Sequence, residues 1–202
     1  MNPAGLAALL RSRAGSRRLL AGIAGEPGSG KSTLAARLVA ELGSDAAVLP
    51  MDGFHLPQTR LTELGRRERM GAPDTFDVDG FLAALAAVRA DAGEVATPGF
   101  DRDAEEPVPG AIRIRPDHRI VIIEGNYLLH DEGGWERVAP LLDVTVFLAA
   151  DPAVRLDRLV ARHIAHGKTP DAARAWATGP DEANAAAIRR GTARADVLLA
   201  VD

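Results

Sequence analysis

Leu19-Leu20-Ala21-Gly22-Ile23-Ala24-Gly25-Glu26-Pro27-Gly28-Ser29-Gly30-Lys31-Ser32-Thr33-Leu34 is the stretch that decides the fold. Its first six residues form a short apolar run, the pattern of a strand buried on both faces. Three glycines and a proline between Gly25 and Gly30 then break it. From Ser32 to Leu42 the residues Leu34, Leu38 and Leu42 recur every fourth position, which predicts a helix with Gly43 as its C-cap. The turn between strand and helix fits G-x-x-x-x-G-K-[ST]. Glycines let backbone N–H groups turn inward around phosphate oxygens, and the helix adds the positive end of its dipole. Roughly one unrelated sequence in a thousand of this composition would match by chance. The match also lies in the strand–turn–helix context that the chemistry needs. The candidate nucleotide-holding residues are Gly25, Glu26, Pro27, Gly28, Ser29, Gly30, Lys31, Ser32 and Thr33. Lys31 is placed to reach the β- and γ-phosphates, and the Ser32 hydroxyl to ligate Mg²⁺.

Composition narrows the field around that loop. The 202 residues carry 24 basic and 28 acidic side chains, a net charge of −4, with 47% hydrophobic residues and no cysteine. That is enough apolar material for a real core and excludes a disulfide scaffold, an iron–sulfur cluster and thiolate-held zinc. A mildly acidic chain with 4% aromatics is a poor general nucleic-acid binder. Only Lys31 and Lys168 among the basic residues are lysines. A lysine retained where arginine is otherwise used marks Lys31 as a position wanting a compact point charge. Lys168, in Gly167-Lys168-Thr169, lacks the upstream glycine of a second such loop and reads as incidental. No apolar run approaches the roughly 18–20 residues of a membrane span. Leu6 to Leu10 is followed rather than preceded by Arg11, Arg13, Arg17 and Arg18, the reverse of a signal peptide. It reads as a short amphipathic helix on the domain edge, and a cytoplasmic protein is expected.

Further along, Ala46 to Met51, Arg119 to Ile123, Leu142 to Leu148 and Ala195 to Val201 read as strands. Asp79 reads as the N-cap of a helix from Gly80 to Ala92, and Pro152 to His166 as another helix. Val95-Ala96-Thr97 and Ile112 to Arg115 read as the arms of a small hairpin. Strands alternating with helices predict a three-layer α/β/α domain with a mainly parallel five-stranded sheet. Residues 1–202 are read as a single domain, with a substrate-side insertion at about 52–118 and a helical lid at about 155–180. The segment from Asp52 to Asp77 is too long for a mere connection.

Two carboxylates fall at the ends of predicted strands, where open α/β sheets bind ligands. Glu124 ends Ile120-Val121-Ile122-Ile123 and is a candidate for the Mg²⁺ shell, or else a structural residue. Asp52 follows strand two. There it is placed to take a proton from an attacking hydroxyl, to join the metal shell with Ser32 and Glu124, or simply to make an Asx turn with Gly53.

Four segments then carry a likeness: Met51-Asp52-Gly53-Phe54-His55, Gly71 to Asp77, Pro98-Gly99-Phe100-Asp101-Arg102, and Ile122 to Leu129. In that order the chain resembles the phosphoribulokinase, uridine kinase and bacterial pantothenate kinase group of P-loop kinases. The likeness runs from about Leu19 to Asp202 and is nearest to short bacterial kinases linked to fructose transport. It implies a sheet order of 2-3-1-4-5, Asp52 as catalytic base, Glu124 near Mg²⁺, and ATP with Mg²⁺ as cofactors. Uridine kinases carry an Asp-His-Pro stretch whose Asp holds the ribose. Here Gly71-Ala72-Pro73 stands in its place, which argues against a nucleoside. Pantothenate kinases and phosphoribulokinases are longer. A small polyhydroxylated or carboxylated metabolite, a sugar first, is therefore the expected acceptor.

Arg155, Arg158 and Arg162 share one face of the Pro152–His166 helix. The resemblance implies an Arg-bearing lid there, with Arg158 and Arg162 matching best as catalytic cations; a solvated face paired with Asp151 and Asp157 is the alternative. His55, Phe100 and Arg102 are the candidate acceptor contacts. Asp181 and Asn184 fall in a stretch like the group's late Asn-Asp-x-x-Asn motif, where Asp181 could equally cap a helix. The function expected is transfer of the ATP γ-phosphate to a hydroxyl of a small metabolite by a monomer or homodimer, with no nucleic-acid or membrane partner. The alternatives are a regulatory nucleotide-binding module with slow ATP hydrolysis, and a pantothenate- or nucleoside-type kinase.

Overall fold

The computed structural model describes residues 2–201. In chain order the elements are α1 (Pro3–Arg13), β1 (Leu19–Gly25), α2 (Lys31–Leu42), β2 (Ala46–Pro50), α3 (Gln58–Glu63), α4 (Val78–Ala90), β3 (Val95–Asp101) and β4 (Glu106–Ile114). They are followed by β5 (Ile120–Gly125), β6 (Val144–Ala150), α5 (Pro152–Ala165), α6 (Pro170–Thr178), α7 (Pro180–Arg189) and β7 (Val197–Val201). One-turn 3₁₀ segments fill several connections, among them Met51–Phe54 and Pro73–Thr75.

The main sheet runs β2-β5-β1-β6-β7 and every pairing is parallel. Counting only its own strands, this is the 2-3-1-4-5 order. Period-two alternation splits the strand residues between two cores. Leu20, Leu49, Val121, Ile123 and Phe147 face a core shared with Phe81, Leu85 and Val88 of α4, Tyr127 and Trp135. Ala21, Ile23, Ile120, Ile122, Val144 and Val146 face the other, with Leu6 and Leu10 of α1 and Leu34 and Leu38 of α2. Burial on both faces is what made β1 and β5 continuous apolar runs. The direction of strand addition reverses at β1, which opens a crevice at its C-terminal end.

Most strand and helix ends lie within one or two residues of the sequence reading, and two differences have a physical cause. The helix expected from Gly80 to Ala92 is α4, Val78–Ala90, and its N-cap is Asp77, not Asp79. The Asp77 Oδ1 accepts from Gly80 N at 2.9 Å, whereas Asp79 lies inside the first turn and pairs with Arg137. Both aspartates had the composition of a cap; the backbone of loop 52–77 selects the earlier one, because Asp77 N donates to Phe54 O. The β3–β4 hairpin is also longer than expected, extending to Asp101 and Glu106 across an irregularity between Thr97 and Gly99.

One buried cation ties this scaffold together. Arg18 precedes β1 with its side chain wholly inaccessible. It donates to the carbonyls of His118, Val88 and Arg115 at 2.8–2.9 Å and pairs with Asp91, just beyond α4. Removing one member of such a buried set strands the others. Arg18→Ala should lower unfolding stability by about 3–5 kcal/mol in urea denaturation. A loss under about 1 kcal/mol would show that water replaces the guanidinium freely.

Candidate active site

The phosphate loop begins where β1 ends, at the sheet edge. α2 starts from Gly30, in the left-handed region at φ 93°, and no side chain caps its first N–H groups. Asn2, Asp77, Asp151 and Thr169 do cap α1, α4, α5 and α6. α3 and α7 also lack a side-chain cap, so it is the glycine-rich loop before α2 that makes its N-terminus the candidate anion site. The Ser29 hydroxyl within the loop is buried and makes no hydrogen bond inside the protein. Gly28 is fixed both by its backbone and by its neighbour. Its φ is 81°, and a Cβ there would stand 2.7 Å from the Arg155 carbonyl oxygen of α5. The helix after β6 therefore packs directly on the loop.

Lys31 is 8% exposed, and its Nζ donates to the Glu26 carbonyl at 2.9 Å. Burial pushes its pKa down to about 8, against the pull of the Glu124 and Asp52 carboxylates. A phosphate ligand favours the charged ammonium, so binding takes up a proton whenever the free protein has lost it. ATP affinity should be flat from pH 6.5 to 7.5. It should weaken above about pH 8, approaching tenfold per pH unit. Calorimetric titration at four pH values checks this, and an affinity that rises with pH would contradict it.

Glu124 and Asp52 arrive at this edge from adjacent strands, since Pro50 of β2 pairs with Glu124 of β5. The Ser32 hydroxyl donates to Glu124 Oε1 at 3.1 Å. Asp52 sits in the 3₁₀ turn after β2, against which β3 packs closely. A Cβ on Gly53 would lie 2.1 Å from the Pro98 carbonyl oxygen, so only glycine lets the hairpin approach this near. That approach delivers Arg102, whose Nη2 donates to Asp52 Oδ2 at 2.7 Å. His55 Nδ1 lies 2.8 Å from the Asp52 carbonyl oxygen, and its ring lies against Phe76 and Phe100 at centroid distances of 4.0 and 4.7 Å. Burial lowers the His55 pKa, so the ring is neutral near pH 7. A carbonyl only accepts, so Nδ1 carries the proton and Nε2 is left as an acceptor.

The two carboxylates are driven apart electrostatically. Burial and the charge of Asp52 raise the pKa of Glu124. Burial also acts to raise that of Asp52, but His55, Arg102, Lys31 and Arg162 outweigh it and hold Asp52 below the usual carboxylate range. Among the described residues, no group of three or more His, Asp or Glu side chains could hold a metal by itself. The Ser32–Glu124 contact, with Asp52 nearby, instead fits Mg²⁺ that takes its remaining ligands from nucleotide phosphates and water.

A cleft of about 470 Å³ unites these groups. It is lined by Pro27, Gly28, Gly30, Lys31, Ser32 and Thr33 of the loop, by Asp52 and Glu124, by His55, Phe100 and Arg102, and by Arg158 and Arg162 of α5. Gly25, Glu26 and Ser29 do not line it. The Glu26 side chain points away, pairing with Arg155 and with Arg189 of α7. Arg155 accordingly departs from the shared-face expectation: it is 2% exposed and pairs with Glu26 and Glu182, not with cleft or solvent. Helical spacing gave the face but not its rotation toward α7. Asp181 does not cap α7, whose N-cap is Gly179; it is bonded to His163 at 2.7 Å. The sequence reading also missed Arg67, His163, His166, Lys168 and Trp176 in the cleft. Only Lys168 had carried a signal, as one of two lysines.

A phosphate loop at the switch point of a 2-3-1-4-5 parallel sheet, with a carboxylate facing it across a cleft, defines a P-loop kinase. The sequence profile of the Phosphoribulokinase / Uridine kinase family matches residues 20–201, and the chain belongs to that family. A protein of Silicibacter sp. TM1040 described as a candidate fructose transport system kinase superposes with a TM-score of 0.90 at 41% identity, over 98% of each chain. The chain is 36% identical to a candidate uridine kinase of Schizosaccharomyces pombe, over 75% of this chain and 68% of the relative. It is 33% identical to the uncharacterized protein YggC of Escherichia coli, over 91% of this chain and 78% of the relative. Among the described residues, no helix is long and apolar enough to cross a membrane.

Proposed function

We propose that this kinase transfers the γ-phosphate of ATP to a hydroxyl of a small metabolite, a sugar or sugar derivative, with Asp52 as general base. One observation carries the reading: Asp52 shares a single cleft with Lys31 and the phosphate loop, and Arg102 donates a hydrogen bond to its carboxylate and favours its ionised form. The acceptor O–H gives its proton to the Asp52 carboxylate, and its oxygen forms a bond to the γ-phosphorus. The bond from that phosphorus to the bridging oxygen breaks, its electron pair leaving with ADP. Lys31, Arg158 and Arg162 balance charge on the phosphoryl group in flight. Ser32 and Glu124 would hold Mg²⁺, which supplies positive charge at the phosphates when bound. His55, which lines the cleft, would accept a hydrogen bond from an acceptor hydroxyl through Nε2. α5 and α6 form the lid, and the residues between about 52 and 118 build the acceptor side.

The name of the Silicibacter neighbour supports a sugar first. The test is ADP release with Mg²⁺ and ATP against sugars, sugar phosphates, glycerate, pantothenate and nucleosides. A sugar or sugar derivative should stimulate turnover, and uridine and cytidine should be poor acceptors, since glycine stands at position 71. Efficient uridine phosphorylation would overturn the acceptor class. Slow ATP hydrolysis indifferent to every acceptor would favour a regulatory module.

A further inference from the structure

The cleft is also walled by α5, α6 and α7, which bring an aromatic face beside a buried His–Asp pair. His163 Nε2 lies 2.7 Å from Asp181 Oδ2, with side chains 14% and 11% exposed. Asn184 follows one turn after Asp181 on the same face of α7. Its Nδ2 lies 3.8 Å from where a Cβ on Gly71 would stand. The Gly71 carbonyl in turn accepts from the Tyr127 hydroxyl at 2.6 Å. Trp176 of α6 stands edge-on to His163, and the Lys168 ammonium sits 4.6 Å from its ring centroid.

These groups face the same space as the proposed base. The charges of both Asp181 and Asp52 push the Tyr127 hydroxyl toward its neutral form, beyond what burial does. Both carboxylates also act on Arg162, which is otherwise pushed down by burial and by Arg102. Asp52, Asp181 and Asn184 line the same cleft, so a ligand reaching from Asp52 toward α7 meets Asp181 and Asn184.

The chemistry of this wall is specific. A carboxylate accepts, a carboxamide both donates and accepts, and together they read hydroxyl groups. The indole face already holds a cation, so it presents its negative quadrupole to the cleft. The C–H face of a saturated ring bearing hydroxyls is electropositive and matches that surface. A purely structural staple between α5 and α7 would account for His163 and Asp181 but not for Trp176 or Asn184 lining the cleft beside them.

We infer that Trp176, Asp181 and Asn184 form the subsite that reads the ring and hydroxyls of a carbohydrate acceptor, the indole taking its C–H face in place of the Lys168 ammonium. His163 is a positioning residue that orients Asp181. The inference rests on the proposed kinase reading for the direction from which the acceptor meets Asp52.

Trp135 is fully buried, so Trp176 is the tryptophan whose emission reports on the cleft. The experiment titrates the full chain, with Mg²⁺ and a non-hydrolysable ATP analogue, against D-fructose, D-ribose, their phosphates, D-glycerate, pantothenate and uridine. At least one sugar or sugar phosphate should change the emission saturably. Its Kd should rise about 10- to 100-fold in Asp181→Asn and in Asn184→Ala, the loss expected for hydrogen bonds to buried polar partners. The analogue's Kd should stay within about twofold. Trp176→Phe should retain more sugar affinity than Trp176→Ala, read by calorimetry. The inference is overturned if no sugar binds saturably, if the variants weaken the nucleotide analogue instead, or if they lower only the melting temperature. ADP release separates it from the kinase reading. Sugar binding that depends on Asp181 without phosphorylation would sink the proposed transfer and leave the subsite standing. Phosphorylation indifferent to Asp181→Asn would sink the subsite alone.

Discussion

Lys31→Ala should cut ATP turnover by at least about 10²–10³-fold, the effect of deleting one preorganised charge at a transition state. Lys31→Arg should do nearly as badly. The ammonium is 8% exposed and donates to the Glu26 carbonyl, and a planar fork cannot reproduce the compact point charge it brings to the phosphates. Stability should move the other way. The lysine pKa falls from 10.5 to about 8 on folding. Between those values the unfolded chain binds more protons, so stability rises with pH across that window. At pH 7 the full cost of keeping the buried charge, about 3 kcal/mol, is borne by the folded state. The lost hydrogen bond offsets part of it, at about 1 kcal/mol. Lys31→Met should therefore be inactive and yet more stable by roughly 1–2 kcal/mol at pH 7. Urea denaturation alongside an ADP-release assay reads both. Turnover by Lys31→Arg within tenfold of the parent protein would remove Lys31 from its role.

The conflict between what Lys31 costs in burial and what a phosphate site needs is of the kind that made the phosphate loop readable in the sequence. Its residues match a ligand's needs on the proposed reading, so they break ordinary preferences: three glycines in one turn, and a lysine in a chain that prefers arginine. The parallel sheet was readable for another reason. Burial on both faces leaves β1 and β5 as unbroken apolar runs, which few other structures produce. Asp52 and Glu124 could be placed because both follow such runs. The rest of the cleft follows from packing between distant segments, which no local pattern encodes. Arg155 has the same spacing as Arg158 and Arg162, but Glu26 and Glu182 claim it, from residues far away in the chain. Asp77 and Asp79 are chemically identical caps until the loop after β2 folds back and fixes Asp77. Trp176, His163 and Asp181 become neighbours only when α5, α6 and α7 fold against one another. The hairpin shows the intermediate case. Its arms were visible at Val95 and Ile112, but its outer half depends on the close approach of Pro98 to Gly53.

Asp52→Asn should lower kcat for phosphorylation of the acceptor by roughly 10²–10⁴-fold while ATP affinity stays within a few-fold. The substitution keeps the shape of the side chain and its contact distance to Arg102, and removes only charge and proton affinity. On the proposed reading ATP is held mainly by the loop amides, Lys31 and the arginines of α5; Asp52 acts on Lys31 and Arg162 only through its charge, as one of several neighbouring charges. A base acts in the transition state, so its loss falls on kcat and leaves ground-state binding nearly untouched. The same reasoning separates the second carboxylate. Glu124 shares a hydrogen bond with Ser32 and carries a pKa raised by burial and by Asp52. Nearby positive charge, from Mg²⁺ as from Lys31, returns it to its ionised form. Glu124→Gln should therefore raise the Mg²⁺ concentration needed for half-maximal rate, and added Mg²⁺ should recover part of the activity. Added Mg²⁺ should not rescue Asp52→Asn. Because the charges around it, Arg102 and Lys31 among them, hold Asp52 below the usual carboxylate range, the rate of the unmodified protein should show no loss from Asp52 protonation between pH 6 and 8. Mg²⁺ titrations of both variants with the acceptor at saturation decide the matter. If Asp52→Asn phosphorylates at the parent rate, Asp52 is not the base and the acceptor's proton leaves by another route; if added Mg²⁺ restores a lost rate, Asp52 belongs to the metal shell instead.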